Sequence, residues 1–323
     1  MLRMMVLPSP LGYSGRRLSP PDPLYFMTTS QISSRTERVA RLYLVVLMAT
    51  LAVTPMGLIL YLDRFQAPSM LFMDHTFHLI TIGGATIAGL FISHVSWRCY
   101  RSSGEPFARW MTLGFLSFTV IYAPHGFFTP LAHDHLWLFI LYGPVSRFAI
   151  ATCLFIAILV HGRPAHPPAV RGATGSWWAW LGAFIAIDAA VAVLAFSPIA
   201  GAPAVRLSFE GGAMCLSALC AVTMLVRRIG RIDAPVMRYY LIATAFFSQS
   251  SLAFILGKVW NHQWWLAHVI FASGFFLLSY GVIRASLTTD QNSKSTPANQ
   301  VRSPTESLVS EPKPSTLAIE SSP

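Results

Sequence analysis

Charge is what this chain has least of. Of 323 residues only 11% are Asp, Glu, Lys or Arg, and 54% are hydrophobic. A water-soluble domain carries about 25% charged residues. With a mean hydropathy of +0.54, a purely soluble fold is excluded. Cysteine is also sparse. Cys99, Cys153, Cys215 and Cys220 show no C-x-x-C spacing, so they are read as small apolar packing residues rather than disulfides or thiolate zinc ligands. There is no H-E-x-x-H, no phosphate-cradling Gly loop and no Ser nucleophile motif, so no catalytic residue is assigned. The short-period alternation of a membrane β-barrel is missing too.

What the chain does have is long apolar runs. Eight of them, at 40–62, 77–97, 108–123, 136–160, 177–196, 208–226, 237–257 and 263–283, are each about 16–25 residues. That length suits a hydrocarbon core about 30 Å thick at 1.5 Å rise per residue. Only closed backbone hydrogen bonding survives there. The expected fold is therefore an all-α integral membrane bundle of about eight transmembrane helices, its first partner the lipid bilayer.

Cations assign the sides. Arg3, Arg16, Arg17, Arg35, Arg38 and Arg41 precede the first span. Arg98, Arg101 and Arg109 lie in the second loop, Arg163 and Arg171 in the fourth, and Arg227, Arg228, Arg231 and Arg238 in the sixth. Arg284, Lys294, Arg302 and Lys313 follow the last span. The opposite loops hold only Arg64, Arg206 and Lys258. By the positive-inside rule both termini are cytoplasmic and the protein is a multi-pass component of the cell inner membrane. The net charge of +10 is then a basic inner face beside anionic headgroups, and nucleic acid is not an expected partner.

Three regions are expected: a disordered cytoplasmic segment at 1–38, a polytopic membrane domain at 39–285, and a disordered cytoplasmic tail at 286–323 rich in Ser, Thr, Pro, Asn and Gln. The Pro- and Ser-rich start contains no apolar run of the signal-peptide kind, and Met27 is an alternative start to Met1. No enzymatic output domain is expected after the eighth span.

Ionisable residues within spans are costly, so their default reading is functional. The threading brings His75, His78, His125, Glu210 and His268 to similar shallow depth at the outer side. His94 is 16 residues beyond His78 on the same helix, about 24 Å away, and cannot share their ligand. His75 and His78 share a helix face. Imidazoles suit zinc, copper or iron, and Glu210 offers an oxygen. The competing reading makes each His an independent helix-end anchor. Arg147, near the middle of the fourth span and three residues after Pro144, is expected to face inward and pair with Asp188 or Glu210. It then acts either as a structural tie or as an anion-binding cation. Gly84-x-x-x-Ala88 suggests close helix contact. Trp97, Trp110, Trp137, Trp177, Trp178, Trp264 and Trp265 read as interfacial anchors. The patch Ser248, Gln249, Ser250 and Ser251 either lines a cavity or bonds neighbouring helices.

These landmarks resemble one family. The run from His75 through Thr76 and Phe77 to His78 resembles the "FHt" opening of the third class of bacterial membrane-associated sensor (MASE) domains. The stretch 113–126, with His125 near its end, resembles that family's "lGi-F…DllH" segment, with Tyr122 where the family has an acid. His135, Leu136 and Trp137 with Ser146, Arg147 and Phe148 look like its "lWi-aR" span, and Ala267-His268 like the "GH" of its last helix. The resemblance covers roughly 40–285. It implies a membrane-embedded sensory or ligand-binding module with a pocket for an unknown small ligand formed by His78, His125, Arg147 and His268. Any signal would pass to a separate partner protein. The alternatives are a metal- or haem-binding membrane redox protein and a small-solute transporter. The metal and the cofactor are not specified by the sequence.

Overall fold

The computed structural model describes residues 23–67, 69–228 and 235–295. In chain order its helices are α1 (Pro23–Phe65), α2 (His75–Ser103), α3 (Pro106–Phe127), α4 (Leu136–Val160), α5 (Pro168–Gly172), α6 (Gly175–Ala195), α7 (Pro203–Arg228), α8 (Pro235–Leu256) and α9 (His262–Ser295). A 3-10 turn, Thr129–Leu131, follows α3. No strand occurs among the described residues; Leu71 and Asn261 form one isolated antiparallel bridge. The chain divides after Leu51. Residues up to Leu51 supply the first part of α1, and the unit from Ala52 onward contains α2 to α9.

Among the described residues seven helices are long and apolar enough to cross a membrane: α1 from Thr36, α2, α4, α6, α7, α8 and α9. The protein is thus an all-α, multi-pass membrane bundle. The eighth expected span, 108–123, is α3, and it falls outside that group for a physical reason. It packs along both α2 and α4, and 15 of its 22 residues are buried, against three of 21 in α6. A helix enclosed by other helices needs no lipid-compatible surface. It can carry Thr112, Ser117 and Thr119, each of which bonds a carbonyl of its own helix at 2.8 Å. Exposed apolar side chains are concentrated elsewhere, such as Ile80, Ile87 and Phe91 on α2, Val193 on α6 and Phe276 on α9. Such a surface is compatible with lipid tails.

The core is aromatic. Phe118 and Phe275 lie 4.7 Å apart between ring centres, Phe115 and Phe275 5.2 Å, and Phe247 and Phe271 5.0 Å, a tilted and edge-to-face arrangement that suits the ring quadrupoles. Helix ends follow local chemistry. Asp74 caps α2 by accepting from the Phe77 N–H at 2.8 Å, and Gly104 closes it at φ 74. Asn261 caps α9 by accepting from the Trp264 N–H at 2.8 Å.

Some sequence expectations change and others stand. Gly83 and Gly84 face open space; the close helix approach is instead at Gly89, where a Cβ would meet Thr119 Oγ1 at 2.6 Å and Phe118 at 3.4 Å. Trp264 and Trp265 are buried within the bundle. The serine patch of α8 bonds neighbouring helices: Ser248 donates to the Met214 carbonyl and Ser250 to that of Ala267. None of the four cysteines joins a disulfide, and Cys153 and Cys220 are buried. α1 begins at Pro23 and α9 continues to Ser295, so helix extends into both terminal stretches; 1–22 and 296–323 lie outside the described residues.

Candidate metal centre

Three of the six residues singled out in the sequence meet. His78 lies in the first turn of α2, His125 in the last turn of α3 and His268 in the second turn of α9. Each offers a ligand nitrogen, and the three nitrogens lie within 4.8 Å of one another. Ring centres of His78 are 5.1 Å from His125 and 5.4 Å from His268. Exposure is 0%, 5% and 4% respectively. Water therefore does little to satisfy these imidazoles.

The nitrogens are not equivalent. His125 Nδ1 bonds the Phe139 carbonyl at 2.5 Å, and His268 Nδ1 bonds the Trp264 carbonyl at 2.9 Å. A carbonyl only accepts, so each Nδ1 carries the proton and donates. His78 Nδ1 meets Thr129 Oγ1 at 3.1 Å. That hydroxyl spends its own hydrogen on the His125 carbonyl at 3.2 Å, so its oxygen accepts from His78. Three neutral imidazoles of one tautomer result, each with a bare lone pair on Nε2. The buried Nε2 atoms of His78 and His268 have no hydrogen-bond partner. Orphaned buried polar atoms are rare in folded proteins and call for an explanation. Metal-binding histidines show this arrangement, the outer ring nitrogen tied to a carbonyl or hydroxyl and the inner one directed at the ion.

Aromatic rings wall the site. Trp264 stacks on His78 at 5.1 Å and contacts His268 at 4.2 Å. Phe139 stacks on His125 at 4.8 Å, and Trp260 lies 5.4 Å from His78. Trp260 holds φ 69, a left-handed conformation that a bulky side chain seldom adopts. Its carbonyl accepts from the Phe72 N–H at 2.9 Å, and Trp265 Nε1 donates to the Phe72 carbonyl at 2.9 Å. The α1–α2 and α8–α9 loops are thereby clasped over the histidines, and strain of this kind tends to gather at functional sites.

The other predicted residues take different places. His75 is half-buried and stands outside the trio, 5.1 Å from Trp260 and 5.7 Å from His133. Arg147 pairs with Glu210, its Nε donating to Oε2 at 3.1 Å and a second guanidinium nitrogen to Oε1. Asp188, the other acid considered, does not take that role. Both partners are buried, and the guanidinium also lies over the Phe254 ring at 3.8 Å. A narrow cleft runs between this pair and the trio. Its polar lining is His125, Arg147, Arg206 and Glu210, with Phe254 and Trp264 among its apolar walls.

Sequence reasoning missed Thr129 and the aromatic wall. Thr129 sits in a short turn after α3 with nothing in its neighbours to mark it; Trp264 and Trp265 read only as interfacial anchors, and Trp260 carried no reading at all. No family model matches the chain, and neither does any curated protein or solved structure.

Proposed function

We propose that this multi-pass membrane protein binds a transition-metal ion through Nε2 of His78, His125 and His268. One observation carries the reading: three buried imidazoles offer ligand nitrogens within 4.8 Å of one another, while the Nδ1 atom of each is taken by a carbonyl or hydroxyl. A four-coordinate zinc or copper ion at 2.0–2.1 Å would draw those atoms to about 3.3 Å from one another, a modest contraction from the observed 4.8 Å limit. Three protein ligands leave one position open, the pattern of reactive rather than purely structural sites. Neutral nitrogen ligands without a thiolate favour zinc, copper or iron over magnesium or calcium. A haem fits less well, since Phe139, Trp260 and Trp264 occupy the flanks where the macrocycle would lie.

The same residues support a sensory role for the site. The resemblance to membrane-associated sensor domains names His78, His125, Arg147 and His268 together, and an ion with an open position is a means of capturing a small ligand. The Lys and Arg distribution supports cytoplasmic termini and a site near the outer face of the inner membrane. A signalling partner would read the change from the inside.

The test is metal analysis by mass spectrometry on detergent-purified protein. About one equivalent of zinc, copper or iron is expected per chain. His78→Ala, His125→Ala and His268→Ala should each lose it, beyond the about 10–100-fold weakening that outer contacts give. Metal-free protein after reconstitution with each of the three ions would overturn the proposal.

A further inference from the structure

The cleft beside the histidines has a lining whose charges do not cancel. Arg147 and Arg206 bring two positive charges and Glu210 one negative. The first cation is matched: Arg147 grips both carboxylate oxygens of Glu210. Arg206 lies four residues before Glu210 on α7 and turns toward the end of α8, where one guanidinium nitrogen donates to the carbonyls of Phe254 and Gly257, the latter at 3.3 Å. Those are neutral acceptors, so among the described residues its charge has no carboxylate of its own.

The cleft and the trio are continuous. His125 and Trp264 line both. Phe254 contacts both sites: the Arg147 guanidinium lies 3.8 Å from its ring centre and the His268 ring centre 4.8 Å from it. A divalent ion on three neutral imidazoles would add two positive charges to a lining that already has one in excess. Arg206 is half-buried, so water screens the repulsion between these like charges only in part. Bulk water in the fourth position does not relieve that imbalance; an anion does. Arg206, as a planar fork with several donors, suits an oxyanion or carboxylate.

We propose that the open position of the metal is filled from this cleft by a small anion, one oxygen or nitrogen atom on the ion and its remaining charge facing Arg206. The inference rests on the trihistidine reading and adds the ligand class: a carboxylate- or oxyanion-sized monoanion, rather than a neutral molecule or a cation. Glu210 limits the size and charge of the guest, since its carboxylate repels a second negative group placed deeper in the cleft.

Azide and formate titrated into the cobalt(II)-loaded protein in detergent read this directly, because visible ligand-field bands shift when the fourth ligand changes. Saturable binding of both probes is expected. Arg206→Gln should weaken it at least tenfold while cobalt stoichiometry stays unchanged, and Arg206→Lys should recover part of the loss. Glu210→Gln gives an independent arm: with the opposing charge removed and Arg147 released, affinity should rise severalfold. Cobalt bound at one equivalent with bands indifferent to either anion overturns the anion proposal and leaves the metal centre standing. Equal azide affinity in wild type, Arg206→Gln and Glu210→Gln overturns it as well. Failure to load cobalt, zinc or copper removes the trihistidine reading and this inference with it.

Discussion

Two polar islands are buried in the same helical unit, and they differ in how their hydrogen bonds close. Arg147 and Glu210 complete each other, each charge and both carboxylate oxygens answered within the pair. The histidine trio closes only on its outer side. Every Nδ1 is used, and the Nε2 atoms of His78 and His268 are left without a partner. A satisfied island holds helices in register, here α4 to α7. An unsatisfied one costs folding energy until something fills it. Burial is common to the two islands; the unpartnered nitrogens are what set the trio apart from the ion pair.

The comparison is broken most severely at the ion pair. Arg147→Ala strands a buried carboxylate and should destabilise the protein by about 3–5 kcal/mol, read as chemical denaturation in detergent. The double change Arg147→Met with Glu210→Leu should return stability to wild type or above, because an apolar pair of similar volume is often no worse than the ions. A single change without effect would show that the pair does not tie α4 to α7.

At the trio the expectation reverses. His78→Phe removes an orphaned nitrogen together with the Nδ1 bond to Thr129, whose hydroxyl keeps its bond to the His125 carbonyl, and should cost metal-free stability only about 1 kcal/mol. It should abolish the stabilisation of about 2.7 kcal/mol that a metal at a hundred times its dissociation constant gives the wild type. Equal metal-induced shifts in melting temperature for both proteins would contradict this. The smallest effect is at the outer contact. Thr129→Val removes the oxygen that fixes the His78 tautomer and should weaken metal binding by about 10–100-fold. Competition with a chromophoric chelator measures it, and unchanged affinity would mean the hydroxyl does not orient the ring.

Much of this is legible in the sequence, and for definite reasons. Helical threading follows from apolar length, and the meeting of His78, His125 and His268 follows from the threading. Arg147 had only two acids within the spans to choose from; both α6 with Asp188 and α7 with Glu210 pack against α4, α7 more extensively, and Glu210 is the one that pairs. Other features depend on contacts that spacing does not encode. Gly84 and Gly89 are both glycines on α2, but only Gly89 faces α3. Trp264 looks like an interfacial anchor because a tryptophan at a span end usually is one; in this protein the strained turn at Trp260 folds it inward onto the histidines. α3 reads as an ordinary span, although its polar side chains already hint at a helix shielded from lipid on both flanks.

X-ray absorption at the metal edge of zinc- or copper-loaded protein tests the central claim most directly. Three imidazole nitrogens at about 2.0–2.1 Å, with the outer-shell scattering of the rings, are expected, falling to two in any one of the three histidine variants. A first shell containing sulfur at about 2.3 Å, or one without imidazole scattering, would contradict the account.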